Sequence, residues 1–259
     1  MYATERHDAI ERRLAADGRV SVVDLAATFG VTTETVRRDL AQLEANGSLR
    51  RVHGGAVPAD RESTAEPALA ERLQRHSAAK SAIGRRALDA LGGGFRGSVY
   101  LDAGTTTAAV AGALAPRLGD GGIEVVTHAL TLAHALASVP NAALTVIGGR
   151  VRGLTAAAVG ADTARTIEGL RPDVAFLGTN GVSAGFGLST PDPDEAAVKR
   201  AIVRAARRVV VVADADKHDR ELLVGFAPLE DVDVLVTDAP PGPELSAALA
   251  DAGVEVWLA

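Results

Sequence analysis

The apolar positions of this chain keep a helical period at the start and lose it later. Ile10 and Leu14 are four apart within Glu5–Ala16. Val22, Leu25, Ala26 and Phe29 recur at helical spacing within Ser21–Phe29, and Val36, Leu40 and Leu43 form a third stripe. The pattern predicts three short helices. Ser21 and Thr32 stand where N-caps belong, each able to accept from an orphan amide of the first turn. Val31 and Val36 flank Thr32 as a hydrophobic staple. Gly30-Val31 is the turn between the second and third helices, and Gly47 stops the third, since glycine takes the left-handed conformation at little cost. Leu49–His53 then reads as a strand, closed by Gly54-Gly55.

Pro58–Pro67, PADRESTAEP, is polar and bracketed by prolines, and reads as a linker. Ile83, Ala87 and Leu91 place a helix over Ala78–Leu91, ended by Gly92-Gly93-Gly94. From Ser98 the period shortens. Strands are expected at Val99–Asp102, Glu124–Thr127, Leu144–Ile147, Val174–Leu177, Val209–Ala213, Val234–Thr237 and Val254–Leu258. Helical patterns separate them at Thr106–Leu118, Leu130–Ala137, Asp162–Leu170, Glu195–Arg207 and Glu244–Ala252. The strands are apolar almost throughout, as parallel strands covered on both faces must be. Alternation of strand and helix implies an α/β fold with a mostly parallel, Rossmann-like sheet. The expected organisation is a small helical domain over 1–57, a linker over 58–76 and a larger α/β domain over 77–259.

Composition narrows the classes. The chain is 47% hydrophobic but only 3% aromatic, so Ala, Val and Leu must fill the core. It has no cysteine, which excludes disulfides and thiolate metal sites and suits a reducing compartment. No secretory signal is expected, and no apolar run approaches the roughly 20 residues that span a bilayer. A soluble cytoplasmic protein without membrane, metal or cofactor is expected. The net charge of −6 is unevenly spread. Residues 1–57 hold eight Arg and eight acidic residues, while the remainder holds 19 basic and 25 acidic. Within Thr35–His53, four Arg face only Asp39 and Glu44. This modest basic patch binds DNA weakly in single copy, because affinity follows the number of phosphates neutralised. A homo-oligomer, dimer or tetramer, is therefore expected.

Three helices with a glycine turn before the third make a helix-turn-helix, and the trailing ribbon makes it winged. The last helix of such a unit enters the major groove by its N-terminal part. Thr35, Arg38 and Gln42 fall on its outward face, with Arg37 on the flank. An arginine there can grip a guanine edge or hold a phosphate. Taken alone, the residues also fit a small protein-interaction module with a solvated arginine pair. The stretch RLAADGRVSVVDLAATFGVTTETVRRDLAQLEANGSLRRVHGGAV, with its TVRRDL and RVHGGA runs, resembles the N-terminal winged helix of the DeoR family of bacterial transcriptional regulators. That resemblance implies DNA contacts from Thr33, Thr35, Arg37 and Arg38, with Arg50, Arg51 and His53 on the wing side. Gln42 joins them from its place on the helix.

In a parallel sheet, ligands sit past the carboxyl ends of the strands. The first such junction, Asp102-Ala103-Gly104-Thr105-Thr106-Thr107, runs from strand through glycine and three hydroxyls into a helix. Helix-terminal amides and hydroxyls make an anion cradle there; the plainer reading is a threonine-capped helix start. No lysine follows the glycine, so this is not a Walker A loop. Asn180 either hydrogen-bonds a polyol or stabilises the turn that Gly181 suggests. Asp192 and Pro193 start a helix on which Glu195 and Lys199 are either a surface pair or part of the site. Lys217, two residues beyond Ala215 after Asp214, is either a loop lysine or a phosphate ligand. Arg150, in VIGGRVR, offers a further cation at the same edge.

LDAGTTT, VIGGRVR, FLGTNGVSAGFGLSTPDPDEAAVKRAI and VVVVADADKHD are similar to the C-terminal sensor domain of the same family. The resemblance covers nearly the whole chain. It implies a sheet related to ribose-5-phosphate isomerase and CoA-transferase-like folds, used to sense a phosphorylated sugar. Asp216 departs from the pattern, since the family often has a small hydroxyl residue before the lysine. The expected function is a sequence-specific transcriptional regulator, a repressor of a sugar-catabolic operon relieved by a phosphorylated sugar that is an effector rather than a cofactor. The alternative is a sugar-phosphate isomerase with an appended DNA module, drawing acid and base groups from Asp102, Glu195, Asp214 and Lys217. A purely architectural DNA binder leaves the large α/β body unexplained.

Overall fold

The computed structural model describes residues 3–17, 20–45, 48–52, 54–58, 63–64, 66 and 69–259. It divides into two compact units, Met1–Ala65 and Glu66–Ala259. In the first, α1 (Ala3–Asp17), β1 (Val20–Ser21), α2 (Val22–Phe29), α3 (Thr33–Ala45), β2 (Leu49–Val52) and β3 (Gly55–Pro58) follow in order. The caps act as the sequence predicts. The Ser21 hydroxyl accepts from the Asp24 amide at 3.4 Å, and the Thr32 hydroxyl from the Thr35 amide at 3.2 Å. Ile10, Leu25, Val36, Leu40 and Leu43 are buried together, with Phe29 and Val31 packed against them. The predicted helix stop at Gly47 lies outside the described residues.

The wing differs from the expectation. Gly55 does not close the ribbon but opens β3, and the sheet is three-stranded in the order β1-β3-β2. The two-residue β1 is too short to leave a period in the sequence. Gly55 is required by crowding: a Cβ there would meet the Val20 carbonyl oxygen at 1.9 Å. Asp39 is also not the surface charge its position in a charged run suggests. It lies 5% exposed on α3, and its carboxylate accepts two hydrogen bonds from Arg6 (2.8 and 3.0 Å) and lies 3.2 Å from His7 Nε2. Burial opposes its charge, but the bonds from Arg6 and His7 outweigh burial and hold the carboxyl below its usual range.

The second unit begins with α4 (Leu69–Gln74), within the stretch that reads as linker, and α5 (Ser77–Ala87). Then follow β4 (Gly97–Leu101), α6 (Thr105–Leu118), β5 (Ile123–Thr127), α7 (Leu130–Ala137), β6 (Ala143–Val146), β7 (Arg150–Arg152), β8 (Ala157–Val159) and α8 (Ala161–Glu168). The chain continues with β9 (Val174–Gly178), β10 (Gly181–Ser183), β11 (Gly187–Thr190), α9 (Pro193–Ala205), β12 (Val209–Val212), β13 (Val224–Ala227), β14 (Val234–Thr237), α10 (Pro243–Asp251) and β15 (Glu255–Leu258). All seven strands expected from the sequence pair in one parallel sheet, ordered β15-β14-β12-β9-β4-β5-β6. Alternate residues explain their unbroken hydrophobicity. Val209, Val211 and Leu177 face one apolar layer, with Ala201, Ile202 and Leu245 of the helices. Val210, Val212 and Phe176 face the other, with Ile83, Val110 and Leu132. Two small antiparallel sheets, β10-β11-β13 and β7-β8, were not expected. Their strands have three or four residues, too few to set a period.

Arg6→Ala leaves the Asp39 carboxylate buried with only His7 beside it. Losing one partner of a buried charge pair costs about 3 kcal/mol, so amide exchange in α3 should quicken about a hundredfold. Because the folded Asp39 pKa is depressed, the wild-type unit also loses stability as pH falls through it. Unchanged α3 exchange in the variant would contradict this role for the pair.

Candidate functional site

The burial of Val36, Leu40 and Leu43 turns the other side of α3 to solvent. Thr33, Arg37, Arg38 and Gln42 are exposed there, with Thr35 half-buried beside them. Arg37 lies 3.5 Å from Glu34 one turn away. Arg38 makes no ion pair among the described residues. On β2, the Arg51 side chain donates to Glu44 at 2.6 Å and its amide donates to the same carboxylate at 2.8 Å. Arg50 lies on β2 with its backbone described, and His53 lies outside the described residues.

In the second unit, charge gathers where β4, β9 and β12 end side by side. Asp102, just after β4, is fully buried. Its Oδ2 accepts from the Gly178 amide at 3.0 Å and from Lys199 Nζ at 2.5 Å, and Lys199 also donates to the Gly178 carbonyl at 2.9 Å. Lys199 reaches in from α9, its Nζ 5.5 Å from the centre of the Phe226 ring. Asp214 follows β12 and is 2% exposed. Asp102 Oδ1 and Asp214 Oδ1 are buried and accept no hydrogen bond among the described residues. Such acceptors are costly unless a donor arrives.

Donors and cations surround them. Lys217 Nζ lies 3.9 Å from Asp214 Oδ1. Burial lowers the Lys217 pKa, and the Asp214 charge pulls it back. Lys80 of α5, which the sequence did not single out, is buried and donates to the Arg72 and Arg75 carbonyls at 2.6 and 2.7 Å. Its pKa is also lowered by burial, against the attraction of Asp214. Asp216 pairs with His76 at 2.7 Å on the surface.

Gly104 turns β4 into α6 at φ +147°, where side chains are rarely tolerated. Thr107 donates to the Gly104 carbonyl at 2.9 Å, and the first helical amide bond is Ala108 to Gly104. The amides of Thr105, Thr106 and Thr107 thus precede the helical ladder, at the positive end of a 14-residue helix. Behind the loop, His128 Nδ1 lies 3.0 Å from the Tyr100 hydroxyl, and its Nε2 lies 3.6 Å from Asp102 Oδ1. Burial lowers the His128 pKa to about 4, so the ring is neutral near pH 7. With Tyr100 donating to Nδ1, the ring's Nε2–H faces Asp102.

A second cluster surrounds Arg152 of β7. Its guanidinium donates to Glu66 at 2.6 Å, Asp192 at 3.0 Å and Glu195 at 3.2 Å. Burial works against the Arg152 charge, but these carboxylates outweigh it and raise the pKa. Glu195 also accepts from Thr155 at 2.5 Å. Burial raises the Glu195 pKa, against the pull of Lys199. Glu195 and Lys199 are therefore buried residues with separate partners rather than a surface pair. Asn180 donates to Glu66 at 3.3 Å and accepts from Thr190 at 3.1 Å, and Gly181 continues into β10. Arg150 is not brought into this cluster: its exposed side chain pairs with Asp194.

Sequence reasoning missed Glu66, Arg72, Lys80, Arg152 as a cluster member, Thr155 and His128. Glu66 sits in a polar, aperiodic stretch that carries no structural signal. Arg152 lay in a motif already noted, two residues from Arg150.

A winged helix followed by a parallel-sheet unit with charged strand ends describes a ligand-responsive DNA-binding protein. The family model for the DeoR C terminal sensor domain matches residues 75–239, and that for the DeoR-like helix-turn-helix domain matches residues 6–62. The HTH-type transcriptional regulator GlpR of Haloferax volcanii is 38% identical over 98% of this chain and 96% of its own length. The glycerol-3-phosphate regulon repressor of Escherichia coli K12 is 31% identical over the whole of both chains. The HTH-type transcriptional repressor CsqR of the same strain is 29% identical over 98% of this chain and 94% of its own. The chain belongs to the DeoR family and is a DNA-binding transcriptional regulator. Among solved structures, a ribose 5-phosphate isomerase A from Methanocaldococcus jannaschii covers 54% of this chain and 53% of its own at 16% identity, with a TM-score of 0.39. Among the described residues, no helix is long and apolar enough to cross a membrane.

The neutral, buried His128 has a pH consequence. Its folded pKa lies below its unfolded value, so the unfolded chain binds the extra proton and stability falls as pH drops from about 6.5 towards 4. The full loss is about 3 kcal/mol. Denaturant unfolding at pH 7, 6 and 5 should show a slope in the wild type that His128→Gln reduces; identical slopes would contradict the assignment.

Proposed function

We propose that the chain is a repressor whose operator affinity is lowered by a small phosphorylated sugar or polyol bound at the carboxyl ends of β4, β9 and β12. The observation that carries this reading is the pair of buried carboxylate oxygens, Asp102 Oδ1 and Asp214 Oδ1, that accept no hydrogen bond among the described residues. Sugar hydroxyls are donors of the right kind. Lys217 beside Asp214 and the amide-rich start of α6 are further donors for such a ligand. The names of the relatives support the metabolite class, three of them referring to a glycerol-3-phosphate regulon. In this reading Thr33, Thr35, Arg37, Arg38, Gln42, Arg50, Arg51 and His53 face the operator. The protein acts in the cytoplasm as a dimer or tetramer, since one modest basic patch neutralises few phosphates.

One operator-binding series tests this, run with and without a panel of glycerol, pentose and hexose phosphates ranked by thermal shift. A ligand at 100 times its Kd stabilises by about 2.7 kcal/mol. Arg38→Ala should bind operator about 5- to 150-fold more weakly while keeping the thermal shift. Thr105→Ala with Thr106→Ala should keep operator binding and lose the response to the ligand. Full operator affinity in the first variant at moderate salt, or a full ligand response in the second, would overturn the respective assignment. A panel without any stabilising phosphate would overturn the effector reading.

A further inference from the structure

Glu66 is the first residue of the second unit, and its side chain is 1% exposed. An isolated carboxylate does not leave water without strong partners. Here Oε1 accepts from Arg72 Nη1 at 2.7 Å and from Asn180 Nδ2 at 3.3 Å, while Oε2 accepts from Arg152 Nη1 at 2.6 Å. These donors come from three places along the chain: the helix that follows, the strand β7 and the turn after β9. Two guanidinium groups and an amide converging on one acid are a binding site for an oxyanion, and the oxyanion there is part of the chain itself.

We propose that Arg72, Arg152 and Asn180 form an anion seat, that Glu66 is its tethered occupant, and that the phosphate of a ligand displaces Glu66 from it. The inference rests on the effector reading above for the identity of the physiological ligand, but the seat is defined by its own donors. Guanidinium forks match phosphate as well as carboxylate. Phosphate brings a third oxygen and up to one more negative charge. The two anions cannot share the seat. Asp192 and Glu195 already lie 3.0 and 3.2 Å from Arg152, so with Glu66 three carboxylates meet two arginines. Adding a phosphate without removing one acid places excess negative charge in a buried site. Asp192 is fixed as the cap of α9, its Oδ1 accepting from the Glu195 amide at 3.0 Å, and Glu195 is held by Thr155. Glu66 is the acid that can leave. It precedes α4 rather than lying inside an element, and one peptide bond joins it to Ala65, the last residue of the DNA-binding unit. Displacing it therefore frees the residue with which the second unit begins.

The test uses the full-length chain and inorganic phosphate as probe. Glu66→Gln keeps the shape and removes the charge, so calorimetric titration should show phosphate bound at least tenfold more tightly than by the wild type. Adding Arg152→Gln should abolish that gain. In the wild type, millimolar phosphate should speed amide exchange over residues 69–74, a readout that stands if the variant fails to fold. Equal or weaker phosphate binding by folded Glu66→Gln, or unchanged exchange over 69–74, would overturn the seat. If sugar phosphates bind the wild type while Glu66→Gln gains nothing, the seat fails and the effector reading survives. If inorganic phosphate displaces Glu66 but no sugar phosphate binds either protein, the reverse holds.

Discussion

The second unit is arranged around a buried ion pair, Lys199 with Asp102. Removing Lys199 and Asp102 from solvent costs several kcal/mol for each charge, and only close geometry offsets it. The Gly178 peptide supplies that geometry, donating its amide to the acid and accepting from the ammonium through its carbonyl. Three elements are thereby locked at one point: the ends of β4 and β9, and the middle of α9. Because α9 also carries Asp192 and Glu195, the same lock sets where Arg152 finds its partners. Losing either member leaves the other buried and unmatched.

This arrangement makes the strand ends polar without opening the core. The sheet is apolar until its carboxyl edge, where Asp102 and Asp214 follow within two residues of their strands and Lys199 and Lys217 lie beside them. Burial shifts several of them away from their ordinary behaviour: Lys80 and Lys217 downward, Glu195 upward, His128 to about 4. A site whose charges are this poorly solvated responds strongly to one added anion, since little water is present to screen it. In the first unit the equivalent constraint is Asp39, which holds α1 against α3 while the opposite face of α3 presents its arginines.

Much of this was legible in the chain. Val-rich runs such as Val209–Val212 carry their own assignment, because a strand covered on both sides has no polar alternation to lose. Ser21, Thr32 and Asp192 announce helix starts by local chemistry that tertiary contacts do not override. Asp102 and Lys199 were both visible as candidates, but not as partners, since 97 residues separate them. Glu66 was invisible for a different reason. Its burial depends on Arg72, Arg152 and Asn180 converging, and nothing in PADRESTAEP encodes that convergence. Asp39 looked like one more charge on a solvated helix until Arg6 and His7 arrived from α1. The short strands β7, β8, β10, β11 and β13 were lost because Gly-, Ser- and Arg-containing runs of three or four residues have no period to detect.

The central claim is that the charged edge of the sheet and the arginine face of α3 are thermodynamically coupled. Coupling between two binding sites is reciprocal: the factor by which a ligand weakens operator binding must equal the factor by which operator weakens ligand binding. The direct measurement is therefore ligand affinity by calorimetry with and without saturating operator duplex, using the sugar phosphate that stabilises the chain most. The account predicts a weaker ligand affinity on the DNA complex, by the same factor that the ligand weakens operator binding in a parallel titration. Identical ligand affinity with and without operator would contradict it.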